Sequence, residues 1–433
     1  MKTNSCFRDF LKYSSLNIAG MLGLSCYILA DTFFVSKALG ANGLTALNLA
    51  IPVYSFIHGS GLMIGMGGAT KFSISRSQGK DERVNQIFST AVFLTALLAG
   101  IFFLMGIFAA GPLIRLLGAD DTVYEMGKTY LRVLLLFAPL FMTNNLLLCI
   151  IRNDKAPQLS MLAMITGSLS NVVLDYVFMF PLEMGIFGAA FATGLAPVIS
   201  IFILSPFLLK KKNHFHLQKC RIHLQEIFGI LSCGVPSLIT EVSSGIVIIV
   251  FNIIILRLAG NIGVAAYGVI ANISLVVIAV YTGIAQGIQP ILSSNYGAGN
   301  KKNIRSIFRY AVITVLLLSA CIYLCIFLGA DPIAAVFNSE GNSTLQSIAA
   351  FGMKIYFTGC VFAGINIILS VYFTSTDRPK PAHLISILRG FLVIIPMAFF
   401  LSAVGGITGV WAAFPAAELL VCGVGILLFL KKE

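Results

Sequence analysis

The sequence predicts an all-α integral membrane protein: twelve transmembrane helices in two six-helix lobes, related by a pseudo-two-fold axis along the membrane normal. Three observations carry this. The 433 residues are 58% hydrophobic and only 11% charged, against about 25% charged residues in an average soluble protein. The deficit runs the whole length, which excludes a globular enzyme on a single anchor. The chain divides into twelve mainly apolar stretches, each near the roughly 20 residues that cross a bilayer. Its second half repeats the first at a constant offset.

The predicted spans are 13–37, 44–70, 86–110, 126–150, 158–180, 185–209, 226–258, 263–290, 306–329, 346–372, 382–402 and 406–430. They are read as helices because backbone polar groups in lipid have to be satisfied within the segment. Lys and Arg cluster in alternate connections, among them Lys71, Arg76, Lys80 and Arg83, then Arg152 and Lys155, then Lys210, Lys211 and Lys212. The positive-inside rule puts those connections and both termini in the cytoplasm. It also accounts for the net charge of +12 without nucleic acid. The nine Cys form no CxxC and read as small hydrophobes. The start, "MKTNSCFRDFLKYSS", lacks a short apolar region followed by a cleavage site, so the first span is expected to be retained.

The repeat is visible in several places. "GLTALNLAIPV" at 43 matches "GVAAYGVIANI" at 263, and "SQGKDERVNQIF" at 77 matches "GAGNKKNIRSIF" at 297. Pro112 matches Pro332, and "MGIFGAAFA" at 184 matches "GGITGVWAA" at 405. The offset stays at 220 or 221 throughout. Six is even, so both units have the same orientation, a recurring transporter plan. The reading is therefore a lobe over 1–209, a basic linker over 210–224 and a second lobe over 225–433.

Charged groups inside such spans are costly, at least about 2.5–3.5 kcal/mol near the bilayer centre. The candidates are Asp31, Asp175, Glu241, Arg389 and Glu418. At 1.5 Å per helical residue, Asp31 and Asp175 lie roughly 9 Å from the outer ends of spans 1 and 5. Asn171 precedes Asp175 by four residues on the same face, and Thr193 lies at roughly 12 Å depth in span 6. These four form one layer. Two carboxylates, an amide oxygen and a hydroxyl make a hard-oxygen set suited to a small cation such as Na+ or to shared protons. The repeat places Phe251 opposite Asp31 and Pro396 opposite Asp175, so the set is not part of the duplicated scaffold. Glu241 is a possible second acidic site. Arg389 and Glu418 read as a structural pair between spans 11 and 12.

At this point the chain resembles the multidrug and toxic compound extrusion (MATE) family over essentially its whole length. The resemblance rests on "ADTFFVSKALG" (30–40), "NVVLDYVFMFPLEMGIFGAAFAT" (171–193) and "QGIQPILSSNYGAGN" (286–300). It implies two lobes forming a V around a central cavity in the cell membrane. It implies secondary antiport: amphipathic, often cationic, drugs leave in exchange for H+ or Na+, with no other cofactor and as a monomer. In members with an acidic N-lobe site, the cation contacts correspond to Asp31, Asn171, Asp175 and Thr193. In another branch a glutamate in span 7 binds the cation, and Glu241 resembles it. Two positions depart from the pattern: Ser36 stands where a glycine is common, and Leu16 where many members carry a proline.

Other signals are weaker. No GxxxxGK[ST] loop is present, so an ion gradient rather than ATP is expected to supply the energy. "GMGGATK" (65–71) reads as close helix packing. "HFH" (214–216) with His223 reads as part of a solvated basic loop rather than a metal site. A lipid-linked saccharide flippase of the same broad superfamily is the alternative function, and would need cationic residues facing the cavity for a pyrophosphate. A membrane-embedded enzyme would need a catalytic constellation, and the sequence offers none.

Overall fold

The structure is a computed structural model that describes residues 3–219, 223–338 and 341–431. Lys2, Arg221 and Lys432, which add to the positive charge of the N-terminus, the linker and the C-terminus, lie outside them. The described residues are almost entirely helical. Three helical runs, Thr3–Ser77, Leu224–Gly297 and Ile394–Leu430, each carry a break with non-helical backbone, at Gly40, Gly260 and Gly406, and the first two are too long for any single crossing. The breaks are reversals. Tyr27 and Tyr54 share a hydrogen bond of 2.8 Å, although 27 helical residues would put them roughly 40 Å apart along a straight axis. Phe251 and Tyr267 stack at 5.5 Å across the second break.

Resolved at these breaks, the described residues make twelve helical spans. Spans 1 and 2 cover 3–39 and 41–77; span 3 is Asp81–Phe108. Span 4 joins Tyr124–Leu136 and Ala138–Asn153 through a 46° bend, with Pro139 in the first turn after it. Spans 5 and 6 are Pro157–Met179 and Gly185–Leu209. Spans 7 and 8 cover 224–259 and 261–297, span 9 is Lys301–Phe337 and span 10 is Ser343–Ser375. Span 11 covers 379–405 and contains a π-helical turn at Leu388–Leu392; span 12 covers 407–430.

The duplicated sequence produces duplicated backbone. Gly40 and Gly260 have φ of 64° and 61°, and Gly185 and Gly406 have 58° and 55°. At Gly40 and Gly260 ψ is near ±150–160°, a region open essentially to glycine alone. Nothing lies within 4 Å of a Cβ added at Gly40, so the cost of a side chain there is purely conformational. Gly40→Val is expected to cost about 1–3 kcal/mol, read as a lowered thermal midpoint in detergent, with Gly100→Val on the open face of span 3 as the neutral control.

Two large cores and one small one result. The first joins spans 1–6, the second spans 7–12, and the small one lies among spans 10–12. Each half lends the inner part of its first helix to the other: Phe10 of span 1 is buried in the C-terminal core, and Ile230 of span 7 in the N-terminal core. These two residues are themselves related by the repeat offset. The close approaches follow the same symmetry. A Cβ on Gly67 would stand 2.0 Å from the Ile230 carbonyl oxygen, and one on Gly287, its counterpart, 2.7 Å from Ser14 Cα. The halves thus touch backbone to backbone at the end carrying the basic connections. Toward the other end they diverge: Gly245 meets only Ser55 and Ile51 at 3.9–4.0 Å, and Ile249, Ile253 and Leu256 are exposed. The result is a V open away from the basic connections.

The linker corrects one expectation. It is not a freely solvated loop: Phe215 is buried between Phe72 and Phe88. Asp154 accepts from the His214 backbone at 2.9 Å and also contacts the His214 ring and Arg76. Asn85 and Ser89 accept from the backbone of His216 and Gln218. An apolar anchor inside a polar, basic stretch is invisible to composition, because its pocket is supplied by spans 2 and 3.

Candidate coupling site and cleft

The four predicted residues come from spans 1, 5 and 6, which pack together in the N-terminal lobe. Small residues permit this. Gly167 approaches the Ala196 carbonyl, and Gly20 lies against Met164. Asp175 and Asn171 are fully buried, and Thr193 and Asp31 nearly so. With its amide oriented to satisfy both neighbours, Asn171 donates to Asp175 Oδ2 at 3.0 Å and accepts from the Thr193 backbone N–H at 3.2 Å. The Thr193 hydroxyl donates to the Ala189 carbonyl at 3.0 Å. The Asp31 and Asp175 carboxylates are close enough to interact electrostatically.

Both carboxylates keep one oxygen, Oδ1, buried and without a partner. Among the described residues no Lys, Arg or His acts on either group. Two buried anions with no counter-charge are untenable as such, because desolvating each costs several kcal/mol. The pocket therefore calls for protons or a small cation. Sequence reasoning missed Tyr130, which interacts with both Asp31 and Thr193, and the hydrogen-bonded pair of Tyr27 and Tyr54 beside Asp31. Tyrosines inside apolar spans read as packing residues unless something places them against a carboxylate.

Glu241 lies elsewhere. It meets His58 of span 2 at 3.4 Å, and Tyr54 stacks on the His58 ring at 5.8 Å. It is half-buried and faces an internal cleft of about 90 Å³, room for a handful of waters. The cleft runs from Tyr27 and Thr193 past His58 and Glu241 to Arg152 and Gln286. Arg389 and Glu418 do pair, at 2.5 Å, and Asn366 donates to Glu418 Oε2 at 2.7 Å. That buried centre ties spans 10, 11 and 12 together, and the π-helical turn carries its arginine. Arg152 departs from its expected place in a cytoplasmic connection: it is buried at the junction of the two halves.

Twelve spans in two lobes, a V-shaped opening and an acidic pocket within one lobe define a membrane transporter of the two-fold repeated kind. The model of the family described as MatE matches residues 18–177 and 236–400, and the chain belongs to that family. It is similar to the multidrug export protein MepA of Staphylococcus saprophyticus, at 24% identity over 99% of this chain and 95% of that protein. MepA of Staphylococcus aureus is similar at 22% identity over 99% of this chain and 94% of that one. Among solved structures, an outward-facing multidrug resistance MATE family transporter of the MOP superfamily superposes with a TM-score of 0.92. It is 24% identical, covering 98% of this chain and 95% of that chain.

Proposed function

We propose that this protein is a secondary antiporter that exports amphipathic, often cationic, compounds in exchange for H+ or Na+. The observation that carries this is the pair of buried carboxylates, Asp31 and Asp175, without a counter-charge. An entering ion compensates them and biases the balance between two arrangements of the lobes. Lobe 1–209 then moves against lobe 225–433 about the backbone contacts at the basic end, with linker 210–224 strapped to the first. Asn171 and Thr193 complete the ion's oxygen ligands, and Glu241 with His58 forms a second acidic position on the substrate route. The protein sits in the cell membrane as a monomer, with both termini in the cytoplasm, as the basic connections indicate. It needs no cofactor beyond the coupling ion and catalyses no covalent step.

Membership of the MATE family and the names of the multidrug export relatives support this reading over the lipid-linked saccharide flippase. The cleft also presents one guanidinium, Arg152, where a pyrophosphate would favour several cationic groups.

The test uses purified protein in liposomes loaded with a fluorescent cationic dye. A proton gradient is imposed, then separately a sodium gradient. Dye movement under one of them is expected and names the ion. Movement under neither, by protein that is folded and inserted, would sink the antiport reading and make lipid-linked substrates the next probe.

A further inference from the structure

A groove of about 500 Å³ lies between spans 3 and 4 and shares no lining residue with the cleft. Its volume falls within the roughly 300–1,000 Å³ of small-molecule sites. Ala99, Phe103, Pro139 and Leu147 line it together with Thr95 and Thr143. It lies on the lipid side of the lobe, where Phe93, Leu97, Ile101 and Leu104 of span 3 are exposed.

Thr95 is the telling residue. It is buried, and its hydroxyl has no partner. Thr32, Thr193 and Thr240 each donate to the carbonyl four residues back in their own helices. Thr95 leaves that bond unmade, so its hydroxyl remains available to a molecule in the groove. A buried hydroxyl that bonds nothing forfeits its hydration, and valine would serve packing better. The repeat supplies that comparison: Val315 stands opposite Thr95 and Gly364 opposite Thr143. In the C-terminal lobe the two helices close up there, for a Cβ on Gly364 would stand 2.5 Å from Val315 Cγ1. The groove and its threonines are thus a departure of the N-terminal lobe from the duplicated scaffold.

Depth and charge select the occupant. Thr95 lies near the middle of Asp81–Phe108, roughly 20 Å from either end. The hydrocarbon core is about 30 Å thick, so Thr95 stands near its midplane, beyond the reach of phospholipid headgroups. Among the described residues lining the groove none is charged, and an ion there would go uncompensated. The wall has a consequence for the coupling site. Pro139 follows the bend of span 4. Phe137, at that bend, packs on Phe191 at 5.9 Å and would stand 2.6 Å from a Cβ on Gly194. Tyr130, on the same span, reaches Asp31 and Thr193.

We propose that this groove binds a neutral, apolar molecule dissolved in the bilayer core, an alcohol or a ketone, whose single oxygen accepts from the Thr95 hydroxyl. The bound molecule holds the bend of span 4 and thereby slows the cycle at the coupling site. The effect on transport rests on the export reading; the binding does not.

The experiment uses purified protein in phosphatidylcholine nanodiscs, one copy per disc, photolysed with a diazirine-bearing octanol or the matching octane and read by peptide mass spectrometry. Octanol adducts are expected to concentrate on the groove stretches 92–103 and 139–147. Thr95→Val is expected to lower octanol labelling there roughly fivefold, the worth of one hydrogen bond, and to leave octane within about twofold. Gly100→Leu fills the groove from a position where nothing lies within 4 Å of the added Cβ, and should abolish labelling by both. Adducts spread evenly over the lipid-facing helices would overturn the proposal. So would equal labelling by octanol and octane that ignores Thr95→Val, which would give the groove to acyl chains. Loss of labelling in discs holding two copies would also overturn it and give the face to a second copy. In liposomes, octanol should slow gradient-driven dye movement several-fold in the parent and not in Gly100→Leu. No dye movement without octanol would sink the export reading alone, whereas equal slowing in both proteins would remove the groove's effect on the cycle.

Discussion

Replacing Asp175 with asparagine is expected to reduce gradient-driven export to the level of empty liposomes, while the folded protein remains as stable as the parent. The geometry explains both halves of that result. Asn171 donates to Asp175 Oδ2, and an asparagine oxygen accepts that bond equally well, so packing is conserved. What disappears is the negative charge beside a carboxylate, Asp31, that is itself buried and lacks a partner at Oδ1. An ion bound between them loses one of its two opposite charges, and truncating one partner of a buried charge pair costs about 2–5 kcal/mol of binding, each 1.4 kcal/mol being tenfold in affinity. Coupling-ion binding therefore falls by roughly thirtyfold or more. Asp31→Asn should match it, and the double variant should be no worse than either single one, because both act on one ion. Dye exchange in the absence of a gradient should persist in all three. Normal gradient-driven transport by Asp175→Asn would place the coupling site outside the N-terminal lobe.

The acidic set was legible in the sequence because intramembrane carboxylates are rare and helical depth can be counted. Asn171 and Asp175 share a face by their spacing, and Thr193 reaches them because spans 5 and 6 are consecutive antiparallel neighbours. The glycines that reverse the chain at 40 and 260 sit on the repeat offset, so the twelve-span plan was legible too. Four features were not. Tyr130 enters the pocket from span 4, whose contact with span 1 no periodicity reports. His58 was a visible intramembrane histidine, but its partner Glu241 belongs to the other half of the chain. Arg152 was misread because an arginine at a span's basic end satisfies the positive-inside rule whether it faces water or a lobe interface. Phe215 failed for the converse reason: one apolar residue in a basic linker carries no pattern, and its pocket is tertiary.

Adding a methyl group at Gly234 is expected to pry the halves apart at the basic end. Its Cβ would stand 1.8 Å from the Met63 carbonyl oxygen and 2.9 Å from Met63 Cα. Those are backbone atoms of a packed helix, with no flexible side chain to swing away, so spans 2 and 7 have to separate by more than an ångström. Overpacking of this kind costs about 1–3 kcal/mol, charged only to the arrangement in which the halves are closed there. The population ratio then shifts by roughly 5- to 150-fold toward the form open at that end, by the same conversion of energy to equilibrium. Ser14 reports the shift: it is buried against Gly287, and its hydroxyl has no partner, so Ser14→Cys is a mild probe. In a background without other cysteines, an impermeant maleimide applied from the basic side should label Ser14→Cys several-fold faster when Gly234→Ala is present. Transport should slow in parallel, since the cycle needs both forms. Gly68→Ala lies one residue from Gly67 but would meet only Ala91 Cβ, at 3.4 Å, and should change neither rate. Unchanged labelling in Gly234→Ala would mean that the halves yield elsewhere, and that these close approaches are ordinary packing rather than the contact on which the lobes turn.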